Sequence, residues 1–154
     1  MSTTMTARDV PRAARELDVL IAEDNGETAA ALAELLRGAG HGVRVALDGG
    51  TAVEAALHDP PDVVFLDIGL PGYDGWEVAR AIRCALRGRP CLIVAVTGFD
   101  DDGDHKRSRE AGINLHLRKP ADPELLLKLL DRLGQNDLKE WDYARRDSNP
   151  EPTA

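Results

Sequence analysis

Four short apolar runs in this chain each lead to polar residues suited to metal-assisted phosphoryl chemistry. Val19–Ala22 meets Glu23 and Asp24, Val63–Leu66 meets Asp67, Leu92–Val96 meets Thr97, and Leu115–Leu117 leads to Lys119. Short runs rich in β-branched residues and separated by helical spacing read as buried parallel strands. In such sheets ligands bind beyond the carboxyl ends of the strands. Three acids, a hydroxyl and an ammonium are therefore expected to converge.

The segments between the runs fit this reading. After the first strand, Asp18–Ala22, residues Ala29, Leu32, Ala33 and Leu36 recur at helical spacing until Gly38 and Gly40 stop the helix. His41–Leu47 alternates and so reads as an edge strand, with Val53, Ala56 and Leu57 on the buried face of the next helix. Val63–Leu66 is wholly apolar and therefore central, and a Gly-Leu-Pro-Gly-Tyr-Asp-Gly loop leads to a helix with Ala79, Ile82 and Leu86 inward. Cys91–Val96 and Asn114–Leu117 are the remaining strands. The last helix opens with Asp122 as cap and Pro123 in its first turn, and turns Leu126, Leu129, Leu130 and Leu133 to the core. Five βα units predict a doubly wound α/β sheet.

One helix, about Asp100–Glu110, stands apart because it has almost no apolar residue between Phe99 and Ala111. Packing is expected to hold it weakly, and its acidic start and basic end partly compensate through the helix dipole. A weakly packed helix next to Thr97 suits a switch.

At 154 residues the chain has room for one core, so a second catalytic or DNA-binding domain is not expected. We expect a flexible leader over 1–16, a single domain over 17–134, and a polar, largely disordered tail over 135–154. Within that tail Trp141, three residues after Leu138, is a candidate anchor for a short helix. No run approaches a membrane span or a secretory signal, which predicts a cytoplasmic location without membrane insertion. A net charge of −8 disfavours direct nucleic-acid binding, which depends on Lys and Arg replacing counterions. Cys84 and Cys91 are too few for a disulfide framework and are expected to be reduced packing thiols, and His41, His58 and His105 are read as having no role in the site.

The wording around the four strand ends, LIAEDN, VVFLDIGLPGYDGWEVA, IVAVTG and LRKP, resembles the receiver domain of two-component response regulators from about Leu17 to Leu133. The resemblance implies a CheY-like, flavodoxin-like (βα)5 fold with sheet order 2-1-3-4-5. It also implies a phosphorylation-activated signalling switch that is not itself an enzyme, although it can assist its own phosphorylation and dephosphorylation. Asp67 would be the phosphoacceptor, aided by Thr97 and Lys119. Asp24 and Asp67 would bind the metal directly, the Gly69 carbonyl would add a backbone oxygen, and Glu23 would act through water. The Lys119-Pro120 bond would be cis and aim the ammonium at the site, with Pro71 fixing the loop after Asp67.

The residues support this chemistry independently. A carboxylate can act as nucleophile on phosphorus, but clustered carboxylates repel one another and the incoming group unless a cation intervenes. All the side-chain ligands are hard oxygens, which favours Mg2+ or Mn2+. Phosphoryl transfer needs mainly alignment and charge neutralisation, which Lys119 and the metal can supply. Thr97 can then move toward the new phosphoryl oxygens and open space for a side chain on the fifth strand. Related receivers usually carry Tyr or Phe three residues before the lysine. Here His116 occupies that place, so Thr97 and His116 are the switch candidates.

The resemblance implies a sensor histidine kinase or histidine phosphotransfer protein as donor, a separate downstream effector, and output through the fourth helix, fifth strand and fifth helix. One competing reading is a phosphate-independent pseudo-receiver, against which the intact Glu23, Asp24, Asp67, Thr97 and Lys119 argue. Another is a phosphatase of the haloacid dehalogenase type, which needs an Asp-x-Asp after the first strand, and none occurs. A nucleotide carrier needs an anion-cradling loop, and neither GxGxxG nor GxxxxGK[ST] is present.

Overall fold

The computed structural model describes residues 16–70, 74–98 and 105–135. The expected leader, apart from Glu16, the Pro71 turn, the acidic start of the fourth helix and the tail beyond Gln135 lie outside these residues. Within them the chain alternates strand and helix: β1 (Asp18–Ala22), α1 (Gly26–Gly38), β2 (Gly42–Ala46), α2 (Gly49–His58), β3 (Val63–Asp67), α3 (Gly75–Leu86), β4 (Leu92–Thr97), α4 (His105–Ala111), β5 (Leu115–Arg118) and α5 (Pro123–Gln135). The strands pair in parallel in the order β2-β1-β3-β4-β5. This is the flavodoxin-like order that the resemblance implies, built on the alternation of strands and helices that the patterns predict.

Burial explains why the central strands are continuous apolar runs. Val19, Ile21, Val63, Phe65, Leu92 and Val94 face a core shared with Ala29, Ala33 and Leu36 of α1 and Leu126, Leu130 and Leu133 of α5. Their neighbours Leu20, Ala22, Val64, Leu66, Ile93 and Ala95 face the opposite core, with Ala52 and Ala56 of α2 and Val78, Ala79 and Ile82 of α3. Alternate residues of one strand point to opposite faces, so a strand covered on both sides has no polar position to spare.

Several expectations are corrected. β2 begins at Gly42 and ends at Ala46, one residue inside each expected end, and the outlying Leu47 is 51% exposed. β4 starts at Leu92 and includes Thr97, and β5 runs through Arg118, because the β4–β5 ladder continues to the Thr97–Arg118 pair. Asn114 is a brace instead of a strand residue: its Oδ1 accepts from Ile93 N and from Arg83 Nη2. Leu57 is 53% exposed, and α2 packs through the smaller Ala52 and Ala56. Cys91 is a buried packing thiol, its pKa pushed up to about 12 by burial, whereas Cys84 is exposed.

The described part of the fourth helix is also held better than its composition implies. Among the residues described, α4 starts at His105, and its inward stripe is Ser108 and Ala111, both buried. Ser108 Oγ accepts from Trp76 Nε1 at 2.9 Å, and Arg107 pairs with Asp74 at 2.7 Å. Polar contacts there take the place of an apolar face.

Asn25, Asp48, Asp74 and Asp122 cap α1, α2, α3 and α5, each accepting a backbone N–H of the first turn. The cap on α3 places Gly75 against the segment that follows β3. A Cβ at Gly75 would lie 2.8 Å from the Ile68 carbonyl oxygen and 2.9 Å from its Cα, so the backbone itself has to shift. Gly75→Ala is therefore expected to destabilise the fold by about 1–3 kcal/mol, the usual cost of overpacking. Urea unfolding measures it, and a midpoint equal to that of the unaltered chain would refute the close packing of this turn.

His41 has a structural role at the other end of the sheet. It is 5% exposed, and its Nδ1 accepts the Leu17 backbone N–H at 3.1 Å. Burial lowers its pKa, against the opposing charges of Glu16 and Asp131. A histidine held neutral in the fold contributes stability that is present above its unfolded pKa, about 6.5, and is lost as pH falls through the depressed folded value. His41→Asn retains an acceptor near Nδ1 without titrating. The unfolding free energy of the unaltered chain should thus fall more steeply than that of His41→Asn on acidification below about pH 6.5. Parallel curves would show that His41 does not carry this dependence.

Candidate functional site

The ladder of β1 with β3 puts Ala22 opposite Leu66, so the residues that follow, Glu23 and Asp67, emerge side by side. Glu23 N bonds to Ala46 O at 3.0 Å, which extends the β1–β2 ladder by one step and holds Glu23 at the sheet's end. Glu23 is 8% exposed and Asp67 5%, while Asp24 is exposed. One carboxylate oxygen from each of the three lies within 4.8 Å of the others.

Lys119 reaches this cluster from β5. Its backbone N bonds to Thr97 O at 2.8 Å, and its peptide bond to Pro120 is cis. The ammonium lies 2.9 Å from Asp67 Oδ2 and 3.7 Å from Glu23 Oε1. The other Asp67 oxygen accepts the Gly69 N–H at 2.9 Å, and Glu23 Oε2 accepts the Asn25 N–H at 3.0 Å. Glu23 and Asp67 are thus oriented by the chain itself.

Electrostatics reflect the crowding. The Glu23 pKa is raised, chiefly by burial and further by the charge of Asp67, although the Asn25 N–H and Lys119 oppose the shift. For Lys119, partial burial works against the charged form, but the hydrogen bond and charge of Asp67, then Glu23 and Asp24, outweigh it and raise the pKa. Three carboxylates against one ammonium leave the cluster net negative. Because every side-chain donor is a hard oxygen and two of the acids are buried, the set fits Mg2+ or Mn2+ better than a softer ion.

Of the residues singled out in the sequence, Glu23, Asp24, Asp67 and Lys119 come together. Gly69 is adjacent through its N–H bond to Asp67. Thr97 ends β4 and is half-buried, next to the strand that carries Asp67. His116 lies farther back, opposite Ala95, and its Nε2 is 2.8 Å from Ser108 Oγ. Sequence reading missed Ser108. Its signal was a small residue three before Ala111, on the inward stripe of an otherwise charged helix.

Sequence reading also missed a cleft of about 630 Å³ between α1 and α5. Its walls include Ile21, Ala29, Leu32, Phe65 and Leu126, and it opens onto Glu23, Asp67 and Lys119. The site therefore has a charged mouth and an apolar flank.

Comparison with known proteins agrees with this architecture. The family described as response regulator receiver domain matches residues 19–131. The chain is 32% identical over 113 residues to protein PilH of Pseudomonas aeruginosa, covering 73% of this chain and 93% of PilH. It is 37% identical over 84 residues to the response regulator PleD of Caulobacter vibrioides, covering 54% of this chain but only 18% of PleD. Among solved structures, the receiver domain of a sensor histidine kinase from Pseudomonas aeruginosa, with a magnesium ion coordinated in its active site cleft, superposes with a TM-score of 0.68 at 31% identity. That alignment covers 79% of this chain and 99% of the other. Strand order, the acid cluster with its lysine and the matched residues agree: the chain belongs to the response regulator receiver domain family, a family of phosphorylation-activated signalling switches related to CheY.

Proposed function

We propose that Asp67 accepts a phosphoryl group from a sensor histidine kinase or a histidine phosphotransfer protein, and that the modified chain signals to a separate effector in the cytoplasm. The observation that carries this reading is the Lys119 ammonium 2.9 Å from Asp67 Oδ2, beside a cluster of oxygens suited to a divalent cation.

In this reading Asp24 and Asp67 hold Mg2+ directly, the Gly69 carbonyl adds an oxygen, and Glu23 acts through water. The metal, when bound, neutralises charge on the cluster and on the transferring group. An Asp67 carboxylate oxygen attacks phosphorus as the bond from phosphorus to the donor's imidazole nitrogen breaks, and that nitrogen leaves with the electron pair. Lys119 stabilises the phosphoryl oxygens. Thr97 donates to one of them and draws away from its earlier position, and His116 responds. The apolar flank between α1 and α5 offers a seat for the donor next to the nucleophile. Output then passes through the face built from α4, β5 and α5.

The test is incubation of the chain with a small acyl-phosphate donor and Mg2+, read by intact mass, followed by capture of partners with and without phosphorylation. One added phosphoryl group that depends on Mg2+ is the expected result. A chain that stays unmodified while partners bind it equally in both conditions would mark a phosphate-independent pseudo-receiver.

A further inference from the structure

Ser108 sits on α4 with 1% of its surface exposed, on a helix whose other described inward residue is Ala111. Its hydroxyl oxygen is 2.9 Å from Trp76 Nε1 and 2.8 Å from His116 Nε2. An indole N–H can only donate, so Ser108 accepts from Trp76. Toward His116 the hydroxyl can donate to a neutral ring nitrogen or accept from a protonated one, and the tie persists in either form. One buried oxygen therefore bridges α3, α4 and β5.

A second contact joins two of these elements, α3 and α4. The Arg107 guanidinium lies 4.2 Å from the centroid of the Trp76 ring and 2.7 Å from Asp74 Oδ2, the cap of α3. Trp76 is thus held between α3 and α4 by its edge and by one face.

The register of the sheet connects this bridge to the acid cluster. His116 pairs with Ala95 and Arg118 with Thr97, so His116 and Thr97 share a face of the sheet. Ala95 packs there with Trp76, Val78 and Ala111, which identifies that face as the one covered by α3 and α4. The imidazole that Ser108 holds lies on the same side as the Thr97 hydroxyl.

We infer that Ser108 is a positioning residue of the switch: its hydroxyl ties the His116 ring to the Trp76 indole, so that rearrangement at Thr97 and His116 is passed to the α3–α4 face. The trigger rests on the proposed phosphorylation of Asp67, whereas the tie itself does not. If His116 moves away, the Ser108 oxygen still holds the Trp76 N–H but one buried hydrogen bond is lost, a cost that favours adjustment of α4 or Trp76 along with the ring. The packed alternatives are discrete, which turns a small displacement near Thr97 into a change of contact at α3.

The test uses the full chain with Trp141→Phe, which leaves Trp76 as the single indole of the two in the sequence. Ser108→Ala removes the bridge at almost constant volume, and Ser108→Thr restores a hydroxyl. Without any phosphodonor, Ser108→Ala should speed hydrogen exchange at the Trp76 indole by on the order of tenfold, the equivalent of one buried hydrogen bond. It should also shift the His116 ring-nitrogen resonances, and Ser108→Thr should return both toward the unaltered values. Equal exchange in all three proteins would overturn the tie.

The second measurement adds Mg2+ and beryllofluoride, with loading of Asp67 followed by fluorine NMR. In the protein with Ser108 intact, loading should move the Trp76 indole resonance. In Ser108→Ala the site should still load, while the indole stays in place. An indole that moves equally in both overturns the relay. Failure of the Ser108 protein to load would overturn the phosphoacceptor reading and the trigger with it, and the exchange measurement would still decide the tie.

Discussion

An Asp67→Asn chain is expected to gain no phosphoryl group under conditions that modify the unaltered chain fully. The amide nitrogen and oxygen lack the charge that makes a carboxylate a nucleophile toward phosphorus, and the Lys119 ammonium loses its closest anionic partner. Among the described residues, the other two acids of the cluster are placed differently. Glu23 Oε2 is engaged by the Asn25 N–H, and Asp24 is exposed. The asparagine oxygen can still accept the Gly69 N–H that Asp67 accepts now, so loss of labelling will not report a lost fold. Intact mass after incubation with a small donor and Mg2+ is the readout, and labelling at the unaltered rate would move the nucleophile elsewhere.

Asp24→Ala is expected to weaken Mg2+ binding by at least about tenfold, since even residues that only orient a ligand typically cost that much. The substitution removes one of the three converging carboxylates from a cluster whose net negative charge favours a cation. It leaves the Lys119–Asp67 pair intact. Calorimetric titration measures the affinity directly. Unchanged affinity would remove Asp24 from the metal site and favour the phosphate-independent reading.

Much of the site was legible because strand ends are a one-dimensional signal. A buried parallel strand ends close to where its apolar run ends, and the polar side chain that follows lies at the sheet's carboxyl edge. Glu23, Asp67 and Thr97 all follow from that rule. Lys119 follows the short run of β5 in the same way, and the bond to Pro120 that comes after it is cis, which the sequence permits but does not impose. Helix faces were less secure. Leu57 fits a helical stripe on paper, yet α2 rests on Ala52 and Ala56 and leaves Leu57 outside. Hydropathy marked the residue correctly as apolar, but the rotation of the helix is set by which side chains let it approach the sheet closely.

The charged fourth helix shows the same limit in polar form. Its sequence announces the lack of an apolar face, and from that alone weak packing follows. The bonds from Ser108 to Trp76 and His116 join residues 32 and 8 positions apart, and no local pattern encodes such a meeting. His41 is similar: as a residue type it belongs equally well on a surface, and only its burial against Leu17 makes it a neutral acceptor.

The sequence by itself determined the alternation of strands and helices, the central place of β3, and the polar residues that end the strands. Those features depend on period and on the local cost of burying polar groups, which are readable along the chain. Only the tertiary structure decided how far apart the carboxylates lie, which of their oxygens Lys119 and the backbone occupy, where the cleft between α1 and α5 opens, and what holds α4. These are distances between elements remote in sequence, set by sheet register and helix packing together, and they exist only once the whole core has closed.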